Sequence, residues 1–214
     1  MALLAADVVN VARDEHPAFD RQSTPDIVAL RALARYQQEL LGRIYNVKPD
    51  AVHVAQEVQL PLEDFAAGIA LNDCLQVHGA SVYYRSRDYR PEPVMFVDYP
   101  HRFIRPGGPA AYRRADRIFL LGTPADWQDV ARVVIDLFPR GPDTLGPKDE
   151  LVLPGQALAP CVAALAVVMA RRVEPDRRPD LIELRDRLSE AEERYLDQVT
   201  GRRRAVVSVI QDVW

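Results

Sequence analysis

The chain has 214 residues, 48% of them apolar and 27% charged, and a formal net charge of −4. That suits one domain, or one domain carrying an insertion, with a proper core. The mild acidity excludes wholesale coating of nucleic acid and leaves only local basic patches open.

Met1 to Val11 is apolar, but no basic residue precedes it and Asp7 interrupts it, so it makes a poor signal peptide. No run in the chain reaches transmembrane length. Residues 2–13 predict a short helix with Leu4, Val8 and Val11 on one side, ended near His16-Pro17. Ser23-Thr24-Pro25-Asp26 reads as a helix start: a hydroxyl cap, Pro just inside and an acid in the first turn. That helix should run to about Asn46. Ile27, Leu30, Ala34, Leu41 and Ile44 form its apolar stripe, which Gln37 interrupts and Leu33, Tyr36 and Leu40 widen. Arg31, Arg35, Gln38, Glu39 and Arg43 face mostly outward.

From Val47 the character changes. Val58–Pro61, Ser81–Tyr84, Val94–Val97, Ile118–Leu121 and Val130–Phe138 read as short strands, rich in β-branched and aromatic residues and bounded by Pro and Gly. In the last of these Val133, Ile135 and Leu137 alternate with Arg132, Val134 and Asp136, which predicts one dry face. Arg87 to Pro93 looks like a hairpin tip and Pro106-Gly-Gly-Pro109 like a loop. Residues 62–78 are ambiguous, with a short helix near Phe65–Leu71 as one reading. Pro139 to Pro154 is a Pro/Gly connector.

Leu158 to Ala170 carries no charge and no hydrogen-bonding side chain except the Cys161 thiol. Ala and Leu dominate after Pro160, so it should be a helix, and a helix apolar all round should be buried all round. Leu165 and Val168 are expected to be fully buried against both flanking helices. Arg171 and Arg172 end the run. A second helix follows, opened by Arg177-Arg-Pro-Asp180, with Leu181, Leu184, Leu188, Ala191 and Tyr195 at spacings of three and four. Glu183–Arg187 and Glu190–Arg194 are acid-first i,i+4 pairs, and Gly201 marks the end.

These elements predict an α+β chain: an α-helical bundle with an inserted antiparallel β-rich segment and an extended C-terminal tail. Residues 1–50 supply the first helices of the bundle, 51–154 the insertion, 155–200 the returning helices and 201–214 the tail.

No stretch carries a recognisable catalytic signature. Cys74 and Cys161 match no metal spacing and read as buried free thiols, with a disulfide as the alternative. The histidines, His16, His53, His78 and His101, never occur at ligand spacing. His101 follows Asp98-Tyr-Pro100 and could serve as a base, but no nucleophile motif accompanies it and a surface-loop histidine is the simpler reading. Asp73, Asp88, Asp98 and Asp116 stand beside turn or strand residues, and turn chemistry explains them. Pro106–Pro109 lacks the Lys-Ser/Thr and helix start of a phosphate loop. Trp127 reads as a packed indole at a strand start. No catalytic, cofactor-binding or metal-binding residue is therefore assigned.

The tail is the part that asks for a partner. Arg202, Arg203 and Arg204 form a basic joint, and Val206, Val207, Val209, Ile210 and Trp214 follow with little local polar cover. The alternation suits strand addition to an exposed sheet edge or insertion into a groove, with Trp214 as terminal anchor and the arginines meeting acidic groups. The alternative is that it folds back as one more strand on the chain's own β-rich middle.

The overall pattern resembles the head–tail adaptor (connector, head-completion) proteins of tailed bacteriophages. The carrying residues are Ala5 to Arg13 with Ser23–Asp26 and the long helix, then Ala110–Tyr112, Arg117–Gly122, Trp127, Val130–Pro139, Leu151–Pro154 and Ala163–Arg171. The resemblance implies a structural, non-enzymatic protein of the virion neck, assembled in the host bacterial cytoplasm. It implies a ring, usually twelve-fold, below the portal, with contacts to neighbouring copies, the portal protein, and tail or stopper (completion) proteins. DNA would only pass through the channel, and no membrane is involved. It also implies that the C-terminal segment reaches the portal or a neighbouring subunit. Two other classes stay open: a small cytoplasmic enzyme with a site near Asp98–His101, and a DNA-binding regulator using Arg171, Arg172, Arg177 and Arg178.

Overall fold

The structure is a computed structural model and describes residues 3–52, 54–86, 90–98 and 108–201. It contains both helices and sheets, an α+β chain, and divides into two compact units, Met1–Ala51 with Pro142–Trp214, and Val52–Gly141.

In the first unit the helices are α1 (Ala5–Asp14), α2 (Asp26–Val47), α3 (Leu158–Ala170) and α4 (Leu181–Thr200). The uncharged helix α3 has the expected bounds, and α1, α2 and α4 all pack on it. On α1 the buried face is Ala5, Val8, Val9 and Ala12, at spacings of three and four. Leu4 and Val11, expected on the inner side, are 38% and 41% exposed. Ala5 and Ala12 flank Val8 and Val9 on that face instead. α2 begins without the expected hydroxyl cap: Pro25 holds the cap position and makes no side-chain bond there. Thr24 is instead fully buried, and its carbonyl accepts from an Arg13 Nη at 2.8 Å while the other Arg13 Nη meets Asp26 at 2.6 Å. Arg13 thus ties the end of α1 to the start of α2. Ile27, placed in the stripe by spacing, is 59% exposed because it falls in the first turn, ahead of the packed part of the helix.

The chain returns to this unit at Pro142, earlier than the expected end of the insertion at 154. The connector is pinned by backbone bonds: Ala5 and Ala6 N–H donate to the Asp149 and Pro147 carbonyls, and Leu151 N–H to the Leu3 carbonyl. Gln38 Nε2 donates to the Pro142 carbonyl and the Asp143 carboxylate. The connector therefore belongs with the helices.

α3 is not buried all round. Leu165 is 1% exposed, but Ala163 and Val168 are only half-buried and Ala159 is exposed. Three helices cannot close every side of a fourth, and the gaps fall at these positions. α4 starts on Asp180, whose carboxylate accepts the Ile182 N–H at 2.7 Å, and ends on Gly201 in the left-handed conformation, φ +68°. Only Leu184 and Tyr195 of its stripe are fully buried. Glu190 and Arg194 pair as expected. Arg187 does not pair with Glu183; it reaches Glu15 after the end of α1, at 2.8 Å, where a cross-element contact is on offer.

Among the described residues the second unit holds eight strands: β1 (Val54–Gln59), β2 (Ile69–Ala70), β3 (Cys74–Tyr84), β4 (Glu92–Pro93), β5 (Met95–Phe96), β6 (Ala110–Arg114), β7 (Arg117–Leu120) and β8 (Val130–Pro139). They form two sheets ordered β1-β8-β3-β4 and β2-β7-β6-β5. Among the described residues every pair is antiparallel except β5–β6, which is parallel, a departure from the expected antiparallel insertion. The core joins both sheets: Ile69, Ile118 and Leu120 from one, and Val82, Val133, Ile135 and Leu137 from the other. Val133, Ile135 and Leu137 occupy the dry face as the alternation required. The helix near Phe65–Leu71 is absent; Ile69–Ala70 pairs with β7 instead, burying Ile69 against Ile118. Trp127 is buried at the end of a 3₁₀ turn, Pro124–Trp127, and its Nε1 donates to the Leu121 carbonyl at 2.9 Å.

Candidate interaction surface

The residues singled out in the tail, Arg202 to Arg204, Val206, Val207, Val209, Ile210 and Trp214, lie outside the described residues, as do His53, Asp88 and His101. Of the remaining candidates, His16 and His78 make side-chain contacts. His16 Nδ1 accepts the Ala18 N–H, and its ring lies 5.4 Å from Phe19. His78 meets Phe138 edge-on at 6.1 Å. The Asp116 carbonyl accepts from Leu71 and the Asp73 carbonyl from Arg140, so both lie at turns that hold strands in place. Among the described residues no group of three or more His, Cys, Asp or Glu is arranged to hold a metal ion, and no helix is long and apolar enough to cross a membrane.

Both cysteines are free thiols. Burial pushes Cys161, on the inner side of α3, up to about 12, and the half-buried Cys74 is raised by the same cause, against Arg113, which lowers it. Cys161 lacks the accessible, electropositive setting that makes a thiolate nucleophile, and at Cys74 burial outweighs the nearby Arg113. Burial also raises Tyr195, to about 12, with the neighbouring Cys161 adding to it. Tyr36 is raised by burial first and then by Glu192, to which its hydroxyl donates at 2.9 Å. Arg43 meets the other oxygen of the same carboxylate. This Tyr36–Glu192–Arg43 group clamps α2 to α4.

What the helical unit offers outward is surface. One narrow groove of 230 Å³ runs between α3 and α4, floored by Ala159, Val162, Ala163 and Ala166 and bordered by the Glu15–Arg187 and Glu190–Arg194 pairs. A larger, open groove of 980 Å³ lies between α2 and α3. Its floor is apolar: Val28 and Ala32 of α2, Leu165 and Val168 of α3, Leu188 of α4. Arg31 and Arg35 stand on one bank, and Arg171 and Arg172, just past α3, on the other. All four arginines are exposed. Two carboxylates also line it, Glu39 and Asp143, and Gln38 holds the latter. The groove is therefore net positive over an apolar floor, which suits a partner segment that is acidic at its edges. The sequence marks Arg171 and Arg172 as a basic pair but shows their companions across the groove, Arg31 and Arg35, only as outward-facing. The missing signal is the pairing of α2 with α3, which periodicity within one helix does not carry. Arg177 does not join this set; it acts on Asp20, whose carboxyl is held low first by its hydrogen bond from the Ser23 N–H.

No protein-family model and no curated protein matches the chain.

Proposed function

We propose that the chain is a structural head–tail adaptor of a tailed bacteriophage, forming a ring below the portal that joins the capsid to the tail. In this reading the four helices are the bundle, the β unit is its insertion, and the segment from Arg202 to Trp214 is an extended docking tail. The tail meets the portal protein, neighbouring copies complete a ring of about twelve, and tail or stopper proteins lie below. The protein sits in the virion neck after assembly in the host cytoplasm. It is not an enzyme; DNA passes through the ring without being read.

One observation carries most of the support. Helices from before and after the β unit, α1, α2 and α4, pack on the single apolar helix α3, while residues 52–141 form a unit of their own. That is the arrangement the resemblance implies. The open features of the helical unit are grooves with an apolar floor and a charged rim, an arrangement that protein interfaces share.

The test is the virion. Mass spectrometry and labelled-antibody imaging of purified particles should find the chain at the neck, in a fixed ratio to the portal. Deleting residues 203–214 should leave the melting temperature near its original value and abolish incorporation into portal-containing particles. A chain absent from particles, or a truncation that assembles normally, rejects the adaptor or the docking tail respectively.

A further inference from the structure

We propose that the arginine-banked groove between α2 and α3 is the seat for a short amphipathic helix of a different protein, one with an apolar ridge and carboxylates along both flanks. The inference goes beyond the adaptor reading and stands independently of it.

The cleft between two packed helices is where the ridge of a third helix fits. The floor presents Val28 and Ala32, one turn apart on α2, with Val168 of α3 and Leu188 of α4. All four are only half-buried, so apolar surface stays open there. From Val28 to Tyr36 the α2 bank runs about 12 Å, enough for two turns of an occupant.

Charge on the banks sets the rest of the occupant. Arg31 and Arg35 are one turn apart on α2, and Arg171 and Arg172 stand opposite. All four are exposed, and no described residue pairs with their guanidinium groups. Of the two carboxylates that line the groove, Asp143 is engaged by Gln38, which leaves Glu39. A helix that lays an apolar ridge on Val28, Ala32, Val168 and Leu188 brings its flanking side chains to both banks. Carboxylates on those flanks meet the arginines at the rim and stay off the apolar floor. A nucleic acid would use the arginines but leave the floor bare.

The described helices of this chain do not supply such a surface. On α1 the exposed apolar pair Leu4 and Val11 has its acids, Asp7 and Asp14, to one side only, counting about 100° per residue. On the other side lies Val8, which is buried. α4 exposes one large apolar side chain, Ile182, and so has no outer ridge. Its Glu190 and Glu192 are engaged by Arg194 and Arg43. The complement is left to another polypeptide.

Binding of a designed peptide to the full chain tests this. The probe is a labelled helix of two heptads, stapled on its outer face, with Leu at positions a and d, Glu at e and g, and Ala and Gln elsewhere. Fluorescence anisotropy at low salt should show saturable binding that weakens as salt rises. A peptide with Lys in place of every Glu lacks the charge match, and one with Gln in place of every Leu lacks the ridge. Each should bind at least about tenfold more weakly. The chain carrying Arg31→Glu and Arg35→Glu, both exposed positions, should fold by circular dichroism, lose at least about tenfold for the Glu peptide and gain affinity for the Lys peptide. Absence of saturable binding, or equal binding of the Glu peptide and either control, overturns the proposal. So does self-association of the wild type that the two substitutions abolish, which assigns the groove to a second copy. Duplex DNA binding that they abolish overturns it as well and assigns the groove to nucleic acid.

Discussion

Gln37 Oε1, in the middle of α2, accepts the backbone N–H of Val152 at 2.8 Å. Gln37 is fully buried, and its Nε2 has no partner. The residue that breaks the apolar stripe of α2 is therefore the anchor for the connector that returns the chain to the helices. Gln37→Ala should destabilise the protein by about 1–3 kcal/mol, the cost of leaving a buried group unpaired, read as a lower denaturant midpoint. Gln37→Leu, which also removes the unpartnered Nε2, should recover part of that loss. Equal stability of wild type and Gln37→Ala would refute the anchoring role.

Neighbouring positions on α3 should differ sharply. Leu165 is 1% exposed, and Leu165→Ala should cost about 2–5 kcal/mol, the large-to-small penalty of a packed core. Val168 is half-buried on the groove floor, and Val168→Ala should cost about 1 kcal/mol or less. Thermal or urea unfolding of the two variants side by side decides it; equal losses would contradict the burial of α3.

Alkali should unfold the helical unit earlier than charge repulsion alone requires. Burial raises Cys161 from 9.0 to about 12 and Tyr195 from 10.0 to about 12. The unfolded chain loses these protons first, so their contribution is complete below about pH 9 and is lost as pH rises toward 12. In that window the unfolding free energy should fall by about 1.4 kcal/mol per pH unit for each group fully in its range. Cys161→Ala should flatten the pH dependence from its lower end. A thiol reagent at neutral pH should modify the half-buried Cys74 well before Cys161, and equal rates would contradict the burial of α3's inner face.

The β6–β7 turn offers a backbone test. Ala115 sits there with φ +54° and is exposed, between the paired Arg114 and Arg117. A β-branched side chain tolerates that conformation poorly, so Ala115→Val should cost about 1–2 kcal/mol through backbone strain alone. Ala115→Gly should be neutral or slightly stabilising, since relief of the strain offsets glycine's entropy. A neutral Ala115→Val would contradict the left-handed turn.

Ala115 also illustrates why part of the β unit is hidden in the sequence. A two-residue hairpin is announced by Asn-Gly or Asp-Gly; Ala115-Asp116 gives no such signal, so β7 is legible from Ile118–Leu121 while its partner β6 is not. The same holds for β2, whose two residues become a strand only because β7 lies beside them. By contrast, α3 can be read end to end because its signal is composition, and β8 because Val133, Ile135 and Leu137 alternate cleanly. On α4 the inner stripe is legible, with Leu184 and Tyr195 buried and Leu181, Leu188 and Ala191 half-buried; on α1 the helix is legible but its inner face only in part. Leu4 and Val11 are larger than Ala5 and Ala12, yet it is the smaller pair that is fully buried. Arg187 takes Glu15 over Glu183 because of a loop that only the folded unit brings near. The candidate surface is legible in the same measure: its residues are visible one helix at a time, and their grouping across the groove is not.

The division of the chain has a consequence for synthesis. α1 and α2 emerge from the ribosome with their apolar faces complete but without α3, the helix they pack on, which follows only after residues 52–141. The β unit is contiguous and can settle first, because domains fold as units during translation. Meanwhile Leu33, Leu40 and Leu41 wait uncovered beside the nascent chain. A released fragment ending just before Ala157 should therefore present a folded β unit and a protease-sensitive α2, and one running past Thr200 should protect both.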